Sequence, residues 1–251
     1  HVLSSGTDNG GRKQKFGGDW PFDSDDEIEV RDLVDDEDFA DDDEVCEVAW
    51  LEIDDQFNVV SEGYSLINPG KPIHYAASAV NGITDEMVKD SPYLDEFMEK
   101  SGDPLAGEDV VLICHNAPFD HRFLGKYMTE GSGTLCTLRC ARILYPEAEN
   151  HKQGTLAAML GIVVPREKAH SADGDLYVLQ QLLRRMCSDH DLDIHDLLEV
   201  QTRKRRIAKM PFGKHKGKDL SELPKEYVLW LLTKTENLDA DLRASLEALG
   251  Q

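Results

Sequence analysis

The chain has 251 residues, of which 40% are apolar, and carries 49 acidic against 27 basic side chains for a net charge of −22. That length fits one large domain, or a domain with a small companion, with enough apolar residues to bury a core. No apolar run approaches the ~20 residues of a membrane span, and the acidic balance excludes a protein that coats nucleic acid passively. Residues 1–27, rich in Gly, Ser and Asp, are expected to form a flexible acidic leader without a packed core. The opening fifteen residues contain no apolar signal-peptide core.

Residues 30–34 are short and half apolar, ending at Asp35. Residues 45–53 (VCEVAWLEI) read as a strand, Asp54-Asp55 as a turn, and residues 57–66 as the returning strand of a hairpin. Thr84 is an expected N-cap with Asp85 and Glu86 in the first turn behind it. The continuous apolar run VVLIC at 110–114 predicts a central strand, and Pro118 suits the start of a helix over about 119–128. Further helices are expected over 135–144, over 155–160 with a stop at Gly161, and over 173–186, where apolar residues recur at helical spacing. Hairpin strands followed by strand–helix alternation predict an α/β fold, a mixed sheet flanked by helices. After residue 200 the texture changes: a Gly- and Lys-rich stretch at 211–218 precedes amphipathic helices at 224–233 and 239–249, a small C-terminal α+β module. The predicted organisation is therefore a leader (1–27), a main domain (28–190), a linker (191–206) and a basic module (207–251).

Five cysteines, odd in number and set in or beside apolar stretches, predict reduced thiols and a cytoplasmic setting. Residues 201–251 hold 7 acids and 11 bases in an otherwise acidic chain, and residues 203–218 hold eight bases with no acid. Such an isolated run is either a solvated face or a phosphate-tracking surface. Lys214, Lys216 and Lys218 alternate, which on an extended segment would place them on one face.

Acids stand at the ends of apolar elements in three places. Asp35 and Glu37 are two apart after Val34, Asp120 lies at a helix entrance directly after the VVLIC run, and Asp175 lies in the first turn of the 173–186 helix with His170 five residues before it. Strand ends and helix starts of one α/β sheet can converge on one crevice. Carboxylates gathered there require cations to remain ionised, and oxygen ligands favour Mg²⁺ or Mn²⁺. A histidine beside them is a natural general base for water. Taken singly, each also has a structural reading, as a surface acid, a first-turn dipole residue or a loop histidine.

The string His115-Asn116-Ala117-Pro118-Phe119-Asp120 resembles the second motif of the DnaQ-like 3′→5′ exonucleases, and His170 to Asp175 resembles the third motif, H-x-x-x-x-D, of their DEDDh subclass. The stretches INPGKPI (67–73) and GITDEMV (82–88), and Cys136-Thr137-Leu138 with Ala141-Arg142, are similar to that family as well. The segment 210–232 with 241–249 resembles the C-terminal module of the family's exodeoxyribonuclease X-type members. At the first motif the usual D-x-E-T-x-G departs after Glu37 to Asp38-Phe39-Ala40.

The resemblance implies a ribonuclease H-like fold and a two-ion site in which Asp35, Glu37, Asp120 and Asp175 hold Mg²⁺ or Mn²⁺ and His170 is the general base. The implied activity releases nucleoside 5′-monophosphates from DNA 3′ ends, with single strands or frayed ends preferred. Asn116 and Phe119, beside the second motif, and Lys214, Lys216 and Lys218 are candidate nucleic-acid contacts, although Phe119 also suits a core ring and Trp230 a helix-packing one. Two other readings stay open: a catalytically degenerate nucleic-acid-binding module, and an RNA-trimming relative.

Overall fold

The computed structural model describes residues 2–4, 43–107, 109–163, 172–235 and 238–249. The described residues divide into two units, one of residues 2–4 and 43–203 and the other of residues 204–249.

In the first unit, β2 (Val45–Ile53) and β3 (Val59–Leu66) form the expected hairpin, with Trp50 paired to Gly63. The pairing leaves room for an indole over a residue without a side chain: a Cβ on Gly63 would lie 2.3 Å from Trp50 Nε1. The Asp54 carboxylate shapes the turn by accepting the N–H groups of Gln56 (2.9 Å) and Asn58 (2.8 Å). That is why the second strand begins at Val59 and not at Phe57, which takes a left-handed φ of 63°. On its other edge β2 pairs with β1 (Val2–Ser4) from Val45 to Val48. The expectation of a leader without packed structure therefore fails at Val2-Leu3-Ser4, whose sequence suits a strand edge.

α1 (Tyr75–Asn81), α2 (Asp85–Val88) and α3 (Leu94–Lys100) connect β3 to β4 (Val111–Cys114). Thr84 is the N-cap residue of α2, without a side-chain capping bond. α4 (Ala117–Leu124) follows β4, and β5 (Gly133–Cys136) pairs parallel to β4 with Cys114 opposite Cys136. Leu135 and Cys136, read from the sequence as helical, thus belong to a strand, and the helix α5 (Thr137–Leu144) starts after them. α6 (Gln153–Met159) and α7 (Ala172–His190) complete the helical layer, with Leu182 and Met186 of α7 fully buried against Leu156 of α6 and Cys140 of α5. α8 (Asp196–Val200) places Leu197 and Val200 in the same core. Residues 191–203 are therefore folded into the first unit and are not a linker, because these two side chains are buried there.

Gln201 extends that attachment. Its side-chain oxygen accepts the Cys136 N–H (3.0 Å) and its side-chain nitrogen donates to the Thr134 carbonyl (2.9 Å), so one amide serves the outer edge of β5 as a neighbouring strand would. Arg139 donates to the carbonyl oxygens of Gln201 and Arg203 at the end of this segment.

In the second unit, Lys209 and Asp219 bridge the base of a loop, and α9 (Lys225–Lys234) and α10 (Ala240–Ala248) pack around Met210, Phe212, Leu231 and Leu242. Arg243 on α10 donates to the carbonyls of Leu232 (2.9 Å) and Thr235 (3.1 Å), capping the end of α9. Among the described residues no helix is long and apolar enough to cross a membrane, and all five cysteines are free.

Candidate active site

β4 delivers the second motif. Cys114 ends the strand, and Asn116 turns the chain through the left-handed region (φ 76°, ψ 58°), a conformation Asn tolerates better than most side chains. Pro118 stands second in α4, where a missing N–H costs no helical bond. The first turn carries Asp120 at 0% exposure. Burial, followed by the charge of Asp120, pushes the neighbouring Cys114 thiol well above its ordinary value. Phe119 meets Phe123 edge-on at 5.4 Å and packs against the cluster of Leu112 and Leu124, which favours its reading as a core ring.

His115, given no role from the sequence, braces this turn. Its Nε2 lies 2.7 Å from the His151 carbonyl, to which it can only donate, and its Nδ1 lies 3.0 Å from Thr137 Oγ1. Thr137 Oγ1 in turn donates to the Cys114 carbonyl (3.2 Å). The second motif is thus tied to the first residue of α5 and to the loop before α6.

α7 delivers the third motif, with Asp173 and Asp175 in its first turn. Its first N–H, from Ala172, donates to Glu47 Oε2 (3.0 Å), and the Tyr64 hydroxyl donates to Glu47 Oε1 (2.8 Å). Glu47 is 3% exposed and was not anticipated from the sequence.

The two carboxylate-bearing helices reach one cavity. A space of about 290 Å³ is lined by Val48 to Ile53 of β2, Val111 to Ile113 of β4, Leu124 of α4, and Leu176 and Leu179 of α7. Leu124 follows Asp120 by one helical turn, and Leu176 adjoins Asp175. Among the described residues no strand lies between β2 and β4, which belong to separate sheets. The space is lined mostly by apolar side chains.

Asp35, Glu37 and His170 lie outside the described residues. Among the described residues no group of three or more metal-ligating side chains occurs, as expected where Asp120 and Asp175 are the only described members of the four-carboxylate set. Those two are oxygen donors, which fit a hard divalent cation.

The sequence pattern of the family described as Exonuclease (RNase_T) matches residues 34–183. The chain belongs to the exonuclease family. That match begins one residue before Asp35 and ends within α7, so it holds all three motifs. A DNA polymerase III subunit epsilon-like protein of Rhodobacter capsulatus is 34% identical over 150 residues, which cover 57% of this chain and 21% of that protein. The chain thus spans about a fifth of that relative's length. Exodeoxyribonuclease 10 of Escherichia coli is 26% identical over 208 residues, covering 81% of this chain and 90% of that enzyme.

Among solved structures, Exonuclease X in complex with 5′ overhanging duplex DNA superposes with a TM-score of 0.51 at 25% identity, over 63% of this chain and 91% of that one. The zinc-bound Exonuclease I–single-stranded DNA complex of E. coli shares the fold at 16% identity, with a TM-score of 0.52 over 62% of this chain and 38% of that one. The exonuclease domain has the ribonuclease H-like α/β fold expected from its motifs. Residues 200–236 match a second family, described as "Putative quorum-sensing-regulated virulence factor".

That second match covers the basic loop. Lys214, Lys216 and Lys218 are all exposed, but Gly213 to His215 form a tight turn and not an extended segment. Gly213 (φ 66°) and Gly217 (φ 81°) set the bends, and a Cβ on Gly213 would come 3.4 Å from the Tyr227 hydroxyl. The lysines therefore stand around a loop tip and not along one strand face. Beneath them His215 packs edge-on to Tyr227 (4.6 Å), and Tyr227 stacks with Trp230 (6.0 Å), so Trp230 belongs to the packing of the module. Of the other bases, Arg205 is paired with the buried Asp241, which also accepts the Arg205 N–H (3.2 Å).

Proposed function

We propose that the chain is a divalent-cation-dependent 3′→5′ exonuclease that removes nucleoside 5′-monophosphates from DNA 3′ ends, with unpaired ends preferred. The observation that carries this reading is the exonuclease-family match over residues 34–183, which contains Asp35, Glu37, Asp120, His170 and Asp175 in motif order.

Asp35, Glu37, Asp120 and Asp175 would hold Mg²⁺ or Mn²⁺, two ions per site. Bound there, the cations neutralise charge on the scissile phosphate and acidify water. His170 takes the proton from the attacking water, which displaces the 3′-oxygen of the preceding nucleotide. Asn116 sits at the turn beside Asp120, where it can meet the terminal nucleotide. Lys214, Lys216 and Lys218 contact phosphates without reading sequence. A terminal base must leave a duplex before it can be held, hence the preference for unpaired ends. The five free cysteines support a cytoplasmic location.

Digestion of a 5′-labelled single-stranded oligonucleotide with Mg²⁺ tests the reading. Wild type should yield a ladder shortened from the 3′ end, and Asp120→Ala and His170→Ala should abolish it. An inactive wild type that still binds the oligonucleotide would establish the degenerate binding module instead. An RNA oligonucleotide of the same sequence, run alongside, decides between DNA and RNA substrates.

A further inference from the structure

Glu47 lies on β2, 125 residues before α7, yet both oxygens of its carboxylate are bonded at the start of the helix that bears Asp175. One oxygen accepts the N–H of Ala172, a residue at 0% exposure and the first of α7; the other accepts the Tyr64 hydroxyl from β3. The first N–H groups of a helix have no partner within it, and a carboxylate placed there satisfies one of them while complementing the helix dipole. Tyr64 fixes the carboxylate's rotamer. Burial, then the bond to Glu47, pushes its hydroxyl up to about 12, so it remains a donor at any working pH. Ala172 and Leu176 pack on Ala49 of the same strand, so the start of α7 is held to β2 by one polar and one apolar contact on the same face.

We infer that Glu47 is a positioning residue of the exonuclease site: it fixes the first turn of α7 against β2 and so sets where Asp175 presents its carboxylate. This rests on the exonuclease reading. Both Glu47 oxygens face protein donors, so its part is to hold a cation-bearing residue in place and not to bind the cation itself. Removing a partner of that kind, one step away from the ligands, typically changes cation affinity or activity about 10–100-fold.

The chemistry of the two contacts specifies a conservative replacement. In Glu47→Gln the side-chain oxygen can still accept from Ala172, while the amide nitrogen donates to a Tyr64 hydroxyl that turns to receive it. Glu47→Ala removes both contacts. The experiment measures Mn²⁺ affinity of the full chain by calorimetry, the kcat and KM for a single-stranded oligonucleotide, and hydrogen exchange at the Ala172 amide. All are read at a temperature where circular dichroism shows each variant folded.

Glu47→Ala should weaken Mn²⁺ binding about tenfold or more, lower kcat with little change in KM, and deprotect the Ala172 amide. Glu47→Gln should return all three close to wild type. Tyr64→Phe, which spares the Ala172 contact, should deprotect that amide less than Glu47→Ala, and it carries the test if Glu47→Ala does not fold. Unchanged Mn²⁺ affinity in a folded Glu47→Ala overturns the inference, as does a Glu47→Gln that behaves like Glu47→Ala. A wild type that neither binds Mn²⁺ nor digests the oligonucleotide overturns the exonuclease reading itself, an outcome distinct from an indifferent variant.

Discussion

Gln201→Ala probes how the exonuclease domain closes its sheet. The Gln201 amide makes two bonds to β5, at 3.0 Å to the Cys136 N–H and 2.9 Å to the Thr134 carbonyl, both in part-buried surroundings. A net contribution of about 1 kcal/mol for each bond gives a destabilisation of about 2 kcal/mol, larger where the stranded Cys136 N–H finds no water. Gln201→Glu keeps an acceptor for Cys136 but sets a second carboxylate oxygen against the Thr134 carbonyl. It should therefore forfeit at least one of the two bonds and approach the alanine variant. Urea unfolding followed by far-UV circular dichroism gives the stability change, and hydrogen exchange at the Cys136 amide reports the interaction locally. An alanine variant within about 0.5 kcal/mol of wild type, the scale of an ordinary surface substitution, with its Cys136 amide still protected, would refute the role given to Gln201. Arg139→Ala should be non-additive with it, since Arg139 holds the Gln201 carbonyl.

Three other outcomes are expected. Leu182→Ala, at a position of 0% exposure on α7, should cost about 2–5 kcal/mol in the same unfolding assay. Replacing Lys214, Lys216 and Lys218 together with alanine should weaken single-strand binding. The slope of log affinity against log salt should flatten by about 0.7 for each phosphate that a lysine no longer neutralises, read by fluorescence anisotropy across a salt series, and an unchanged slope would remove the loop from the binding surface. Alkaline titration of tyrosinate absorbance should resolve a late class. Burial pushes Tyr64 and Tyr127 up to about 12, aided by hydrogen bonds to Glu47 and Asp95. It pushes Tyr145 up further, aided by the charge of Asp189. A raised value means that the protonated hydroxyl favours the folded state, so this contribution is whole below the ordinary tyrosine value of about 10 and is lost as the pH climbs towards 12. Simultaneous ionisation of all seven tyrosines near pH 10 would contradict it.

Where local pattern and burial agree, the sequence was legible. VCEVAWLEI is a strand to the residue, and the helical spacing of apolar side chains marked α7, which extends a turn beyond its last predicted residue to His190. β5 was hidden because its four residues GTLC are defined by parallel pairing to β4, a partner that no local pattern names. α1 buries none of its residues and so carries no amphipathic signal. α8 holds its place through two side chains in five residues, too few for a period to show. At the site, Asp120 and Asp175 stand in the first turns of their helices, as their positions in the motifs suggested. Glu47 was illegible for a different reason: nothing within the nine residues of its strand distinguishes a buried carboxylate from a surface one, and its partner is in another element. The alternating lysines misled because a glycine at each end of a turn overrides the geometry that alternation would have in a strand.

The contact between Glu47 and Ala172 joins residues 125 apart. Closing so long a stretch of chain is entropically unfavourable before the enclosed helices have condensed, and such distant pairings slow folding. The seating of α7 on β2 is accordingly expected late in folding. A nascent chain that has not yet emerged through α7 has its hairpin and its Asp120 but lacks the partner that Glu47 holds.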